Sequence, residues 1–256
     1  MHAHLVQFEI AWEDPEANYR HVESLLEQTR PEAGDLVVLP EMFDTGFSFN
    51  LEKTVAASTR TIEWLRSVAT SRGITIHGSC TLRGEDGRGR NMAMIINQRG
   101  DLVGQYAKIH PFSFGKEHEY FTAGTGTLQY RWSYLSVCPA ICYDLRFPEL
   151  FRRGMLQGAE MFVVGANWPG VRAHQWRALL IARAIENQAY VLGVNRVGND
   201  PTVSYLGGSI AVSPKGSILG ELGYAEEVLS IEVDSNAVWD WRKAFPAWRD
   251  IKMMKL

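Results

Sequence analysis

Short apolar runs alternate with amphipathic segments over most of this chain. Residues 4–10 read as a strand. Asp14 then stands as an N-cap with Pro15 at the first helical position, and the helix after it keeps Tyr19, Val22, Leu26 and Thr29 on one face. Residues 36–39 form a continuous apolar run suited to a strand buried on both faces. A second helix is predicted over 59–72, stopped by Gly73, and strands over 74–82, 91–96 and 102–106. A loop over 108–126 holds Phe112, Phe114, Tyr120 and Phe121; loops this long are functional or disordered, and the aromatics argue against disorder.

Strands over 127–132 and 134–141 follow, with Cys142 where the second ends. Pro148 opens a helix to about 157, and residues 161–164 form another buried-type strand. The clearest helix, 173–187, repeats apolar residues at Ala178, Ile181, Ala182 and Ile185. Strands over 189–195, 203–213, 217–221 and 227–233 and a helix over 235–243 complete a mixed α/β order. Residues 253–256 are expected to be a loosely held tail.

Composition removes several classes. Apolar residues are 46% and charged residues 21%, ordinary globular values that argue against general disorder. Lys plus Arg number 26 against 29 for Asp plus Glu, a net charge of −3 that leaves no electrostatic footprint for nucleic acid. No stretch approaches the roughly 18 apolar residues of a membrane helix, and no basic, secretory n-region is visible. Three cysteines, 80, 138 and 142, cannot all pair within one chain; free thiols in a reducing cytoplasm are the natural reading. No histidine or cysteine spacing suits a metal, so neither metal nor cofactor is expected.

Ligand sites in α/β proteins favour strand ends, and three such ends carry complementary chemistry: Glu41, Lys108 and Cys142. Taken singly, each has an ordinary reading as a solvated acid, a surface lysine and a small core residue. Together they offer a base, a cation for a developing oxyanion, and a thiol that needs both. Spacing alone does not bring them together.

The words around these residues resemble the nitrilase, or carbon–nitrogen hydrolase, superfamily. The matching motifs are Leu39-Pro40-Glu41-Met42-Phe43, Tyr106-Ala107-Lys108-Ile109-His110 and Cys142-Tyr143-Asp144-Leu145-Arg146-Phe147-Pro148-Glu149. Asn167-Trp168-Pro169 and Arg183-Ala184-Ile185-Glu186-Asn187 support them, and the resemblance runs over about 4–248. It implies a four-layer α-β-β-α sandwich of the nitrilase type, one domain over residues 1–256, and a homodimer formed through outer helices. It implies Cys142 as nucleophile, Glu41 as general base, and Lys108 with the Tyr143 backbone N–H as oxyanion donors. Glu117, rather than Glu119, takes the place of a further glutamate that positions the amide.

Phe43, Phe47, Phe112 and Trp168 are candidate pocket aromatics, with Phe47 and Trp168 preferred as substrate-binding walls. Asp144 and Arg146 are expected to hold the turn after Cys142. His110 and His118 are assigned packing or hydrogen-bonding roles, and Arg172 is equally placed to pair with a substrate carboxylate or to serve its own turn. Cys-Tyr-Asp in place of Cys-Trp-Glu resembles small amidases, and Glu41 to Phe47 with Phe245-Pro246-Ala247-Trp248 look most like bacterial omega-amidases of the YafV type. That resemblance implies a small 2-oxo acid amide as substrate. Deaminated glutathione, another amide or carbamoyl compound, or a non-catalytic binder on the same fold are the alternatives.

Overall fold

The structure, a computed structural model, describes residues 1–252, so the expected tail at 253–256 lies outside the described residues. In chain order the elements are β1 (His2–Gln7), α1 (Pro15–Thr29), β2 (Leu36–Val38), α2 (Leu51–Arg72), β3 (Thr75–Arg83), β4 (Gly89–Ile96) and β5 (Leu102–Ala107). A short α3 (Glu117–Tyr120), β6 (Tyr130–Trp132), β7 (Leu135–Ile141), α4 (Pro148–Leu156), β8 (Met161–Ala166), α5 (Ala173–Asn187) and β9 (Tyr190–Asn195) follow. Then come β10 (Val197–Asn199), β11 (Ser204–Leu206), β12 (Ile210–Val212), β13 (Ile218–Glu221), β14 (Glu227–Glu232) and α6 (Ala237–Ala244).

These strands form two six-stranded sheets, ordered β14-β1-β2-β3-β4-β5 and β13-β12-β9-β8-β7-β6, with β10 and β11 as a separate hairpin. Each sheet has a parallel heart, β1-β2-β3 in the first and β7-β8-β9 in the second, flanked by antiparallel strands. Period-two alternation makes the layers. Leu36, Val38, Ala93 and Ile95 join the core shared with the second sheet, while Val37, Leu39, Met92, Met94 and Ile96 face the other way, toward α1 and α2. The second sheet is covered by α4 and α5; Phe162 of β8 meets Phe151 of α4 with ring centroids 5.1 Å apart. The expected four-layer α-β-β-α sandwich is therefore what the chain forms.

Three expectations shift. Helix α2 begins at Leu51, well before residue 59, and Asn50 caps it through a hydrogen bond from the Lys53 amide. Its first turns bury Thr54 and Ser58 instead of apolar residues, so hydrophobic periodicity does not mark them. The run 203–213 is two strands, because Gly207 and Gly208 sit at φ +65° and +77°. A Cβ at Gly207 would lie 2.4 Å from the Gln7 side chain, so only glycine fits there. The 108–126 segment is folded into a 3-10 turn (Ser113–Gly115) and α3, not open loop.

Candidate active site

The ends of four strands converge. Glu41 follows β2 and Lys108 follows β5 in the first sheet, while Cys142 follows β7 and Asn167 follows β8 in the second. Gly165 lets the sheets meet closely: a Cβ there would lie 3.0 Å from the Leu39 carbonyl oxygen and 3.2 Å from the Glu41 amide nitrogen. Any side chain at 165 would push the Glu41 loop away from the Cys142 strand.

The ionised groups form one buried cluster. Lys108 Nζ donates to Glu41 Oε1 at 2.7 Å and to Glu117 Oε2 at 2.8 Å, and the three side chains are at most 1% exposed. Asn91, on β4, spends its two amide protons on Glu41 Oε1 (2.8 Å) and Glu117 Oε1 (2.9 Å). The Asn167 amide donates to Glu41 Oε2 at 2.9 Å, and its side-chain Nδ2 donates to the Glu41 carbonyl at 2.6 Å. Lys108, Asn91 and Asn167 all donate to the Glu41 carboxylate, the arrangement that suits an anion. Glu117 also accepts from the Phe112 amide, which ties α3 and the preceding loop to the cluster. Glu119 is exposed, so the preference for Glu117 agrees with its placement.

Charge and burial act against each other here. Burial alone would push the Lys108 ammonium down, but the carboxylates of Glu117 and Glu41 outweigh it and hold the group above its ordinary value. Burial raises the Glu117 carboxyl, with the neighbouring Glu41 adding to it and Lys108 opposing. The Cys142 thiol is pushed well above its ordinary value, by burial first and then by Glu41, with Lys108 pulling the other way. The resting group is therefore a neutral thiol, and it reacts as a nucleophile only when a base removes its proton.

Cys142 does not lie on β7 with Cys138; it opens the 3-10 turn that follows, at φ +46°. That left-handed conformation is unusual for a residue with a side chain, and it recurs next to Glu41, at Met42 (φ +45°). The thiol is 9% exposed and its Sγ lies 3.8 Å from the Asn167 carbonyl oxygen. The Tyr143 amide stands in the first positions of the turn, where N–H groups have no partner within it. Asp144 holds this turn, as expected: it accepts from the Tyr106 hydroxyl (2.7 Å), the Ile141 amide (3.0 Å) and the His110 amide (2.9 Å). His110 Nδ1 also bonds Asp144 at 2.8 Å and its ring stacks on Phe147, which fits its assigned packing role. His118 is exposed, and its carbonyl accepts from Arg88.

A cavity of about 770 Å³ opens over Cys142. Phe47, Phe112, Tyr143 and Trp168 line it, and the Phe47 ring lies 5.3 Å from Lys108 Nζ. Phe43 does not line it: its ring packs in the core against Tyr19 and Trp64, because the turn after β2, with Met42 at φ +45°, aims it toward α1 and α2. Arg146 was expected to hold the turn, but it lies over Trp168 at 4.8 Å in the cavity wall and donates to Gln175. Arg172 also lines the cavity, 5.5 Å over the Phe112 ring. Neither guanidinium has a carboxylate within salt-bridge distance among the described residues. Asn91 is the site residue that sequence patterning left out; a buried polar residue just before the apolar run Met92–Ile96 of β4 was the one signal for it.

A model of the carbon-nitrogen hydrolase family matches residues 3–243 of this chain. An omega-amidase YafV from Yersinia enterocolitica is 38% identical over 249 residues, covering 96% of this chain and 94% of that protein. A 2-oxoglutaramate amidase from Bacillus subtilis is 33% identical and covers 96% of each. The crystal structure of a CN-hydrolase superfamily protein from Xanthomonas campestris, with an arsenic adduct in its active site, superposes with a TM-score of 0.92 at 36% identity, covering 100% of this chain and 98% of that one.

Proposed function

This chain belongs to the carbon–nitrogen hydrolase family, and we propose that it is a thiol amidase hydrolysing the terminal amide of a small 2-oxo acid to a carboxylate and ammonia. It is a hydrolase acting on amides. The observation that carries the residue roles is the buried contact of Glu41 with Lys108 beside a neutral Cys142 thiol at the floor of a cavity.

In this mechanism the Cys142 sulfur attacks the amide carbon while Glu41 takes the thiol proton. The S–C bond forms and the carbonyl becomes an oxyanion, held by Lys108 Nζ and the Tyr143 N–H. Glu41 returns the proton to the amide nitrogen, the C–N bond breaks, ammonia leaves and a thioester remains. Water then attacks the thioester, giving its proton to Glu41. The C–S bond breaks, the thiolate recovers the proton and the acid departs. Glu117 holds Lys108 and the amide in register. Each oxyanion donor of this kind lowers the barrier by about 2.7–4 kcal/mol.

Two guanidiniums without acid partners favour a substrate with a carboxylate, and apolar walls favour a short carbon chain between carboxylate and amide. The name of the Bacillus relative, a 2-oxoglutaramate amidase, favours 2-oxoglutaramate among such amides. An ammonia-release assay across 2-oxoglutaramate, glutamine, deaminated glutathione and a nitrile tests this. Turnover of another compound with none of 2-oxoglutaramate overturns the substrate. Substituting Arg146→Met should raise KM for the anionic amide while leaving kcat for a neutral amide little changed.

The same reading takes the chain as one domain working as a homodimer in a reducing cytoplasm. The three unpaired cysteines support the compartment, and the exposed apolar Leu156 of α4 and Ile185 of α5 support pairing through the outer helices. Light scattering of the purified protein distinguishes dimer from monomer.

A further inference from the structure

Asn167 carries an atom that the mechanism above does not use. Its side chain is buried, its residue 5% exposed, and it lines the cavity together with Cys142. Its Nδ2 is committed to the Glu41 carbonyl at 2.6 Å, with a longer approach of 3.4 Å to Glu41 Oε2. That commitment fixes the orientation of the amide, because a flip would set Oδ1 against a carbonyl oxygen and a carboxylate oxygen. Oδ1 is therefore turned away from Glu41. It is fully buried and has no hydrogen-bond partner among the described residues. A buried acceptor without a partner costs stability, and such atoms mark places kept for a ligand donor.

We propose that Asn167 Oδ1 accepts a hydrogen bond from the N–H of the scissile amide, which makes Asn167 the group that tells an amide from an ester. The inference rests on the amidase reading. The scissile carbon must come within bonding distance of Cys142 Sγ, and Sγ already touches the Asn167 backbone. The proposal sets the side-chain acceptor of the same residue beside the leaving group. Once Glu41 has handed its proton to the nitrogen, the nitrogen carries three protons and positive charge, and its hydrogen bond to a neutral acceptor strengthens. The contact therefore favours the step in which the C–N bond breaks over the bound ground state. An ester of the same acid has no N–H to offer and gains nothing from the contact.

The test compares 2-oxoglutaramate with the matching methyl ester of 2-oxoglutarate. Both form the same Cys142 thioester, so kcat/KM reports acylation in each case and deacylation is common. Asn167→Ala removes both the Nδ2 donor and the Oδ1 acceptor; Asn167→Thr keeps a hydroxyl that can donate to the Glu41 carbonyl. Loss of the donor loosens the Glu41 loop and slows both substrates. Loss of the acceptor slows the amide alone, so in both variants the amide-to-ester ratio of kcat/KM should fall about 10- to 100-fold, the worth of a hydrogen bond from a charged donor. Asn167→Asp, which keeps an acceptor oxygen, should hold the ratio near that of the unaltered protein although both rates drop. Iodoacetamide alkylation that spares Cys80 and Cys138, both fully buried in the native chain, checks that each variant folds. Equal losses on amide and ester, or an unchanged ratio, overturn the proposal while leaving the amidase reading intact. Absence of ammonia release from the unaltered protein overturns both.

Discussion

Substituting Lys108→Met removes the cation that touches both carboxylates in a cluster with almost no exposure. Nζ sits 2.7 Å from Glu41 and 2.8 Å from Glu117, so the variant leaves two buried acids facing each other across Asn91. Breaking a buried ion pair costs about 3–5 kcal/mol through the uncompensated charge left behind. For a chain of this size each kcal/mol lowers Tm by about 2 °C, so calorimetry should show a drop of roughly 6–10 °C. The deficit should shrink as pH falls from 8 to 5. Without its ammonium partner Glu117 is raised still further above its unfolded value; the folded state then binds more protons than the unfolded state, and stability rises as pH drops through the folded pKa. Adding Glu117→Gln removes the orphaned charge and should recover a large part of the lost stability. It restores no oxyanion donor, so both variants should stay about 10²–10³-fold down in kcat. If the single variant melts within about 2 °C of the unaltered protein, or the double is no more stable than the single, the charge-compensation argument is wrong.

Other outcomes follow from the same geometry. Cys142→Ala should abolish ammonia release with Tm little changed, and retention of full amidase activity would remove Cys142 from the mechanism. Asp144→Asn weakens charge-assisted bonds from Tyr106, His110 and Ile141; kcat should fall with stability lowered by about 1–3 kcal/mol in denaturant titration. His77 is buried between the sheets beside Tyr130, and burial holds it down to about 3. The unfolded chain takes up this proton first as pH falls below about 6.5, so the His77 contribution to stability should be roughly 2 kcal/mol lower at pH 5 than at pH 7. His77→Phe should flatten that slope, and an unchanged slope would show that other groups produce it.

Glu41 and Cys142 were legible because the buried strands before them write themselves as apolar runs, while Lys108 follows the largely exposed β5 and was marked by its motif. What joins them was not. The contacts of Asn91 and Asn167 with Glu41 depend on which strands become neighbours across two sheets, and no local pattern encodes that. Phe43 and Phe47 have similar sequence surroundings, yet one packs into the α1–α2 side of the first sheet and the other lines the cavity, a difference made by the turn at Met42. Arg146 follows the nucleophile by four residues and resembles a turn residue; the 3-10 turn carries it round to the wall instead. The first turns of α2 escaped because they bury the hydroxyl residues Thr54 and Ser58 where an amphipathic helix would bury apolar ones.

The close approach at Gly165 has an effect on the life of the molecule before it is native. The acids and the lysine follow strands of one sheet and the thiol a strand of the other, so under the proposed mechanism neither half carries the reaction alone. During synthesis, or after partial unfolding, Cys142 is an ordinary cysteine with no base beside it, and the carboxylate–ammonium cluster has no nucleophile to serve. Reactivity is switched on by the docking of the two sheets. Turnover thus doubles as a quality-control signal: a molecule that hydrolyses its substrate has, by that act, reported that its central interface is closed.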